Sequence, residues 1–311
     1  MQDHRDKDRI GNTPLRTVTR ASDVLAELIA RPLEPGLYLV ATPIGNLGDI
    51  SLRALAVLAS AGLIAAEDTR HSKKLLSHFG IGSELTPYHE HNAERARPKL
   101  LARIRAGQTV VLISDAGTPL VSDPGYRLVR EALDQGLMVT SIPGPSAALA
   151  ALTNSGLPTD TFLFAGFLPV KSGPRRTRLA ELAAVPATLI FFETAPRLAK
   201  SLADMEAVLG PREAAIAKEL TKLHEAVTRA PLDQLAAEFA DKETLKGEFV
   251  VVVAPPLPED SEVSDAKIVE QLNKALQTQS FRDAVREVTD TLGVKRARVY
   301  ELGLALTRKP D

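Results

Sequence analysis

Between Leu37 and Gly156 short apolar runs take turns with helix-patterned stretches, and this alternation constrains the fold more than any other feature. "LYLVAT", "LIAAED", "TVVLIS" and "MVTSIPG" have strand composition; "SLRALAVLASAG", "SKKLLSHFG", "AERARPKLLARIRAG", "YRLVREALDQG" and "PSAALAALTNSG" have helical spacing. The strands are nearly continuous in apolar residues rather than alternating with polar ones. Such strands are buried on both faces, as in a largely parallel sheet covered by helices. Pro98 inside the third helical stretch predicts a late start or a kink, and Pro145 is expected at the first helical position of the last.

A second set of runs follows "NSGLPTD". "FLFAGFL", "TLIFFE", "EAAIAKEL" and "EFVVVVAP" read as strands, with helices expected over "RLAELAAV", "RLAKSLADMEAVLG" and "PLDQLAAEFADKE". "APPLPEDSEVSD" has linker composition, and three short helices are expected after it. The expected division is a flexible extension over 1–34, an α/β domain over 35–156, a second α/β domain over 157–257, and a linker with a helical module over 258–311. The extension carries one short amphipathic piece, "SDVLAELIA".

The connections at three strand ends are richer than turns require. "SDAGTPLVSDPG" (114–125) joins "TVVLI" to a helix, "ATPIGNLGDIS" (41–51) follows the first strand, and "IPGPSAA" (142–148) opens a later helix. In open parallel sheets ligands bind beyond the carboxyl ends of the strands. Gly117 lets a ligand approach the backbone and Thr118 adds a hydroxyl, while Asp123 and Pro124 read as the cap and first turn of the next helix. GxxxxGK[ST] and GxGxxG are both missing, which argues against P-loop and ordinary dinucleotide chemistry. The loops offer a tight, mostly neutral pocket suited to a small polar cofactor.

Composition narrows the classes further. The 311 residues contain no cysteine, so disulfides, thiolate catalysis and cysteine–zinc sites are excluded. No apolar run reaches a membrane span, and the polar start lacks a signal-peptide core, so a cytoplasmic, membrane-free protein is expected. A net charge of −1 means that a nucleic-acid partner would have to meet a local basic patch. "KSGPRRTR", with Arg175, Arg176 and Arg178, reads as a flexible phosphate-binding loop, and "VKRAR" (294–298) as a second candidate. His89 and His91 lack a third ligand at fixed spacing, so no metal is expected.

"LYLVATPIGNLGDISLRAL", "AEDTRHSKKLL", "YHEHN", "LISDAGTPLVSDPG", "IPGPSA", "GFLP", "FFETAPR", "AKELTKLHE" and "GEFVVV", in this order, resemble the tetrapyrrole-methylase-like class of S-adenosylmethionine enzymes. Within it they are similar to the branch that methylates a cytidine ribose in 16S rRNA. The resemblance implies two α/β domains with the methyl donor, S-adenosylmethionine, between them, a homodimer, and the small ribosomal subunit or its 16S rRNA as partner. Carried over by position, it implies a donor pocket of Pro43, Ile44, Gly117, Thr118, Pro119, Val121, Ser146 and Ala147, closed by Ala195, Glu219 and Gly247.

For the chemistry, "AEDTR" places Glu67 and Asp68 at a strand end as candidates for the base or hydroxyl-orienting group, with Arg70 on a phosphate. Arg197 of "ETAPR" and Lys222 of "KELTKLHE" are candidates for the opposite, substrate-binding wall; structural ion pairs with Glu193, Glu219 or Glu225 are the competing reading. Two other functions stay open at this point: a methyltransferase of the same class acting on a tetrapyrrole precursor, and a cofactor-sensing RNA-binding protein without catalysis.

Overall fold

The computed structural model describes residues 13–240, 242, 245–256 and 265–307. Five strands form the first sheet: β1 (Gly36–Val40), β2 (Leu63–Ala66), β3 (Leu85–Pro87), β4 (Thr109–Ile113) and β5 (Val139–Ile142). They lie in the order β3-β2-β4-β1-β5, and every pairing is parallel. Helices α2 (Leu52–Ser60), α3 (Thr69–His78), α4 (Ala93–Arg105) and α5 (Tyr126–Asp134) cover it. The pleat divides its side chains between two cores. Leu37, Leu63, Val110 and Leu112 pack with Leu100, Leu101, Ile104 and Leu128 of α4 and α5 on one face. Tyr38, Val40, Ile64, Val111 and Ile113 pack with Val57, Leu58 and Leu76 of α2 and α3 on the other. All of β4 is buried, which is why its sequence is unbroken in apolar residues.

The second sheet is mixed: β6 (Phe162–Phe167), β7 (Thr188–Thr194), β8 (Glu213–Lys218), β9 (Ala226–Pro231) and β10 (Glu248–Val253), ordered β6-β7-β10-β8-β9. Only β6 and β7 are parallel; the other pairs are antiparallel. Helices α7 (Ser172–Leu182), α8 (Leu198–Leu209) and α9 (Leu232–Ala240) cover one face through Leu179, Leu198, Leu202, Met205, Leu232 and Leu235. The other face is covered by α6 (Ala147–Ser155), which follows β5 of the first sheet. Ala148, Ala151 and Leu152 of this helix pack on Ile190, Ala215, Val250 and Val252. The expected boundary at 156/157 thus falls just behind a helix that the two sheets share. Finally α10 (Asp265–Leu276), α11 (Phe281–Leu292) and α12 (Arg296–Thr307) close a small core of their own around Leu272, Val285 and Val299.

Several local expectations need correction. The 1–34 extension, expected to be flexible, contains an 18-residue helix, α1 (Thr13–Ala30), lying against α2; residues 1–12 fall outside the described residues. Pro98 sits inside a single helix, α4, as its sixth residue, where its missing N–H costs one intrahelical bond, to Glu94 O, without ending the helix. Pro145 precedes α6 rather than opening it, since Ser146 is the N-cap and accepts from Leu149 N–H. Most of the expected linker, 257–264, lies outside the described residues.

Candidate active site

The strand order reverses at β1 and β4: from β1 the chain moves out to β2 and β3, and from β4 it crosses β1 to β5. Loops leaving such a switch point diverge and open a crevice. Here those loops are tied into one unit. Thr42 and Gly117 exchange backbone hydrogen bonds at 2.9 and 3.0 Å, and the Thr118 hydroxyl donates to Pro145 O at 3.1 Å. The Thr42 hydroxyl donates to Ser114 O at 3.2 Å.

The turn after β4 is wound in a way its composition does not announce. Leu120 and Ser122 both have positive φ, 73° and 65°. Gly125, at φ 139°, is the N-cap of α5, and a Cβ there would stand 2.7 Å from Leu112 Cδ2. Asp123 is therefore not the helix cap, contrary to the sequence expectation. The positive-φ residues around it turn Asp123 inward, half-buried, onto the wall of the crevice.

The crevice is a cleft of about 240 Å³ between the sheets. Its first wall is Ile44, Ala116–Thr118, Val121–Asp123 and the N-terminus of α6 at Ser146 and Ala147. Its second wall is Phe167, Phe192–Thr194, Ala217, Leu220 and Glu248–Val250. A bulge in β6 between Phe164 and Gly166 brings the strand's end to the cleft, where Phe167 meets Phe192 edge-on at 5.6 Å. A Cβ on Gly166 would lie 3.1 Å from Ser122 Oγ, so the two domains touch here.

Of the expected donor residues, Ile44, Gly117, Thr118, Val121, Ser146 and Ala147 line this cleft. The others stand outside its lining. Pro43 lines a neighbouring cavity with His71 and Lys74, and Pro119 and Ala195 are buried behind the walls. Glu219 and Gly247 support the second wall: Glu219 Oε1 accepts from Glu248 N–H at 2.9 Å, and Gly247 gives it room. The aromatic pair Phe167 and Phe192, together with Asp123, was not anticipated. The apolar runs containing the two phenylalanines signalled strands, not which strand ends meet the cleft.

A larger, more polar cavity of about 730 Å³ adjoins the cleft, and Ser122 and Asp123 belong to both linings. Glu67 lines this larger cavity and not the cleft. Burial and the nearby Asp123 and Asp115 carboxylates raise Glu67 above the usual carboxylate range. Burial, offset in part by Ser114 and reinforced by Asp115, lifts Asp123 to about 6. Asp115 holds the group together by accepting from Asp68 N–H at 2.9 Å.

Asp68 does not suit the role of base expected for it. It is the N-cap of α3, and Arg70 binds it through both the backbone N–H at 2.8 Å and the guanidinium at 3.1 Å, which holds its carboxyl down at about 2. The Arg70 side chain is 90% exposed beyond that contact.

The expected RNA loop is also corrected. Residues 172–182 form helix α7, with Pro174 in its first turn, where no intrahelical N–H is needed. Arg175 is buried and gives Nε to Asp204 Oδ2 at 2.7 Å, with Nη1 on Val170 O at 3.0 Å. Arg176 takes the other oxygen of Asp204 at 2.6 Å, and Arg178 pairs with Glu181 at 2.8 Å. Arg197 is likewise committed, to buried Glu193 at 3.2 Å and to Leu168 O. Lys222 bridges Glu219 and Glu248 at 3.0 and 2.8 Å and packs under Gly45, so it straps one domain to the other. For Arg197 and Lys222 the ion-pair reading is the one the structure shows. Of "VKRAR", Arg298 pairs with Asp265 inside the helical module. His89 and His91 lie edge to face at 6.0 Å.

Two sheets meeting over a ligand cleft at the carboxyl edge of a switched parallel sheet define a class. The profile of the family described as Tetrapyrrole (Corrin/Porphyrin) Methylases matches residues 36–236, and the chain belongs to that family. Its relatives include the "Ribosomal RNA small subunit methyltransferase I" of Mesorhizobium japonicum, 62% identical over 240 residues, which are 77% of this chain and 82% of that one. The protein of the same name from Pseudomonas aeruginosa is 45% identical over 271 residues, 86% of this chain and 96% of the relative. Among solved structures, diphthine synthase superposes with a TM-score of 0.55 at 17% identity, over 70% of this chain and 89% of that one. Cobalt precorrin-4 methyltransferase gives 0.53 at 18% identity, over 70% and 94%. At those identities the likeness is one of fold. No helix among the described residues is long and apolar enough to cross a membrane.

Proposed function

We propose that this chain transfers the methyl group of S-adenosylmethionine to the ribose 2′-hydroxyl of a cytidine in the 16S rRNA of the small ribosomal subunit. The observation that carries the reading is the identity of 62% to a relative named for small-subunit rRNA methylation, sustained over 82% of that relative's length. The fold alone would leave a tetrapyrrole substrate equally open.

The residues of the cleft fit the donor. Ile44, Val121, Phe167 and Phe192 suit an adenosyl group, ionised Asp123 complements a sulfonium or ammonium charge, and the α6 N-terminus complements a carboxylate. The donor, when bound, supplies a methyl group already activated for in-line displacement. What the chain has to add is alignment of the hydroxyl and exclusion of water, worth on the order of 7–11 kcal/mol in good cases. A base adds about 10²–10⁴-fold. Glu67 is the group for that role: its raised affinity for protons makes it a better acceptor for the hydroxyl proton than a surface carboxylate. Asp68 positions Arg70, and exposed Arg70, Lys73 and Lys74 along the first half of α3 take over the phosphate contacts expected of 171–178. The resemblance also supports a homodimer working in the cytoplasm, which sedimentation equilibrium and fractionation address.

The test is incubation with methyl-labelled donor and either small ribosomal subunits or a tetrapyrrole precursor. Label in 16S rRNA alone supports the reading; label in the tetrapyrrole alone refutes it.

A further inference from the structure

The donor cleft leaves the larger polar cavity beside it without an occupant. We propose that this cavity receives the base of the target nucleoside and selects an amino-pyrimidine: Glu94 accepts from the exocyclic amine, Arg97 donates to the ring carbonyl, and Tyr126 stacks on the ring. The inference rests on the RNA-methyltransferase reading and adds the determinant of base identity to it.

Continuity is the first argument. Ser122 and Asp123 line both cavities, so a nucleoside with its base in the larger one has its ribose at their junction, beside the donor and near Glu67. Charge is the second. The wall holds Glu67, Glu90, Glu94 and Asp123 against Arg97, Arg127 and His91, an excess of acid that repels a phosphate and asks for N–H donors from its occupant.

The third argument is an unspent donor. Arg97 gives Nε to Glu131 at 2.5 Å and its guanidinium interacts with the neighbouring Tyr88 hydroxyl, but its buried Nη1 makes no hydrogen bond of good geometry. Buried donors are ordinarily paired, and because Arg97 forms part of the cavity wall, a small rotation of its guanidinium would give Nη1 an incoming carbonyl as partner. Glu94 stands three residues earlier on α4, so acceptor and donor share one helical face. Side by side they complement the amine and carbonyl of cytosine; uracil would present a second carbonyl to the Glu94 carboxylate. Carboxylates commonly read cytosine through its exocyclic amine. The last element is Tyr126 at the first position of α5, a residue 69% exposed in the cavity wall and an open platform for stacking.

The experiment uses the full-length protein, methyl-labelled donor, and small-subunit RNA in which the methylated cytidine, located by mapping, is retained or replaced by uridine. The wild-type protein should prefer cytidine by about tenfold or more in kcat/KM. Glu94→Gln, whose amide can also donate, should narrow that ratio by about fivefold or more, with donor affinity by calorimetry unchanged. In parallel, RNA carrying fluorescent pyrrolocytosine at the target should change its emission on binding wild-type protein, and Tyr126→Ala should abolish the change. An unaltered cytidine preference in Glu94→Gln together with an unaltered emission change in Tyr126→Ala overturns the proposal while the methyltransferase reading stands. Failure of the wild-type protein to methylate any small-subunit RNA overturns both.

Discussion

Replacing Asp204 by Ala tests whether the arginines of α7 are anchors or RNA contacts. The Asp204 side chain is only 5% exposed and accepts from Arg175 Nε and Nη2 at 2.7 and 2.6 Å, Arg176 Nε at 2.6 Å, and Ser172 Oγ at 2.9 Å. Burial works against its charge, but the bonds from Arg176, Ser172 and Arg175 outweigh it and hold the carboxyl below the usual range. Without the carboxylate, the Arg175 guanidinium stays buried with backbone carbonyls of Pro169, Val170 and Lys200 as its remaining acceptors. Removing one partner of a buried pair costs about 3–5 kcal/mol. At about 2–4 °C per kcal/mol for a protein of this general size, Tm should fall on the order of 10 °C by calorimetry at pH 7.5. Because a lowered carboxyl stabilises only while ionised, the deficit relative to wild type should shrink as pH falls below about 4. Arg175→Ala should likewise lose stability, whereas the salt dependence of RNA binding should be unchanged once folding is restored at low temperature. A Tm within about 2 °C of wild type for Asp204→Ala, with a flattened salt dependence for Arg175→Ala at unchanged Tm, would refute the anchoring argument and restore the loop reading.

Asp123, titrating at about 6, should make donor affinity pH-dependent: ionised above that value and neutral below it, it should bind the cationic donor about tenfold more weakly at pH 5 than at pH 7. Asp123→Asn should remove that dependence in calorimetric titrations without lowering Tm at pH 7.5, since a raised carboxyl is one whose ionised form costs the fold stability. Gly45→Ala should loosen domain closure, because the added Cβ would sit 2.4 Å from Lys222 Cγ and 2.9 Å from Thr221 Oγ1; donor affinity should fall while Tm changes little. Glu67→Gln should lower kcat by about 10²–10⁴-fold with donor affinity kept, and Asp68→Asn should leave kcat within a few-fold. Equal losses in the two variants would argue that neither carboxylate acts as the base.

How far the sequence carried depended on how local the determinant was. Strands β1, β2, β4, β7, β8 and β10 were legible because burial on both faces leaves unbroken apolar runs. Two strands left no such trace: three-residue β3, ending at Pro87, and β9, which lies at the sheet edge with Arg229 exposed. In α7, Gly173 and Pro174 imitate a loop, yet the first helical turn tolerates both. The loops that line the cleft were legible because Gly and Pro clusters at strand ends mark backbone that another group can approach closely. The roles of Asp68 and Asp123 were not. Each depends on a partner or a φ value supplied by residues whose sequence does not reveal their conformation: Arg70 folding back on Asp68, and Leu120 and Ser122 turning Asp123 inward. The walls from the second sheet were harder still, since contacts such as Lys222 under Gly45 join residues far apart in the chain.

The most direct measurement of the central claim is to treat unmethylated small subunits with the purified protein and S-adenosylmethionine, then digest the 16S rRNA with alkali. A ribose 2′-O-methyl group protects its own 3′ linkage, so the account predicts one new alkali-resistant position, at a cytidine, dependent on both protein and donor. Donor-dependent methylation of a base with every linkage still alkali-labile, or no methylation of RNA at all, would contradict it.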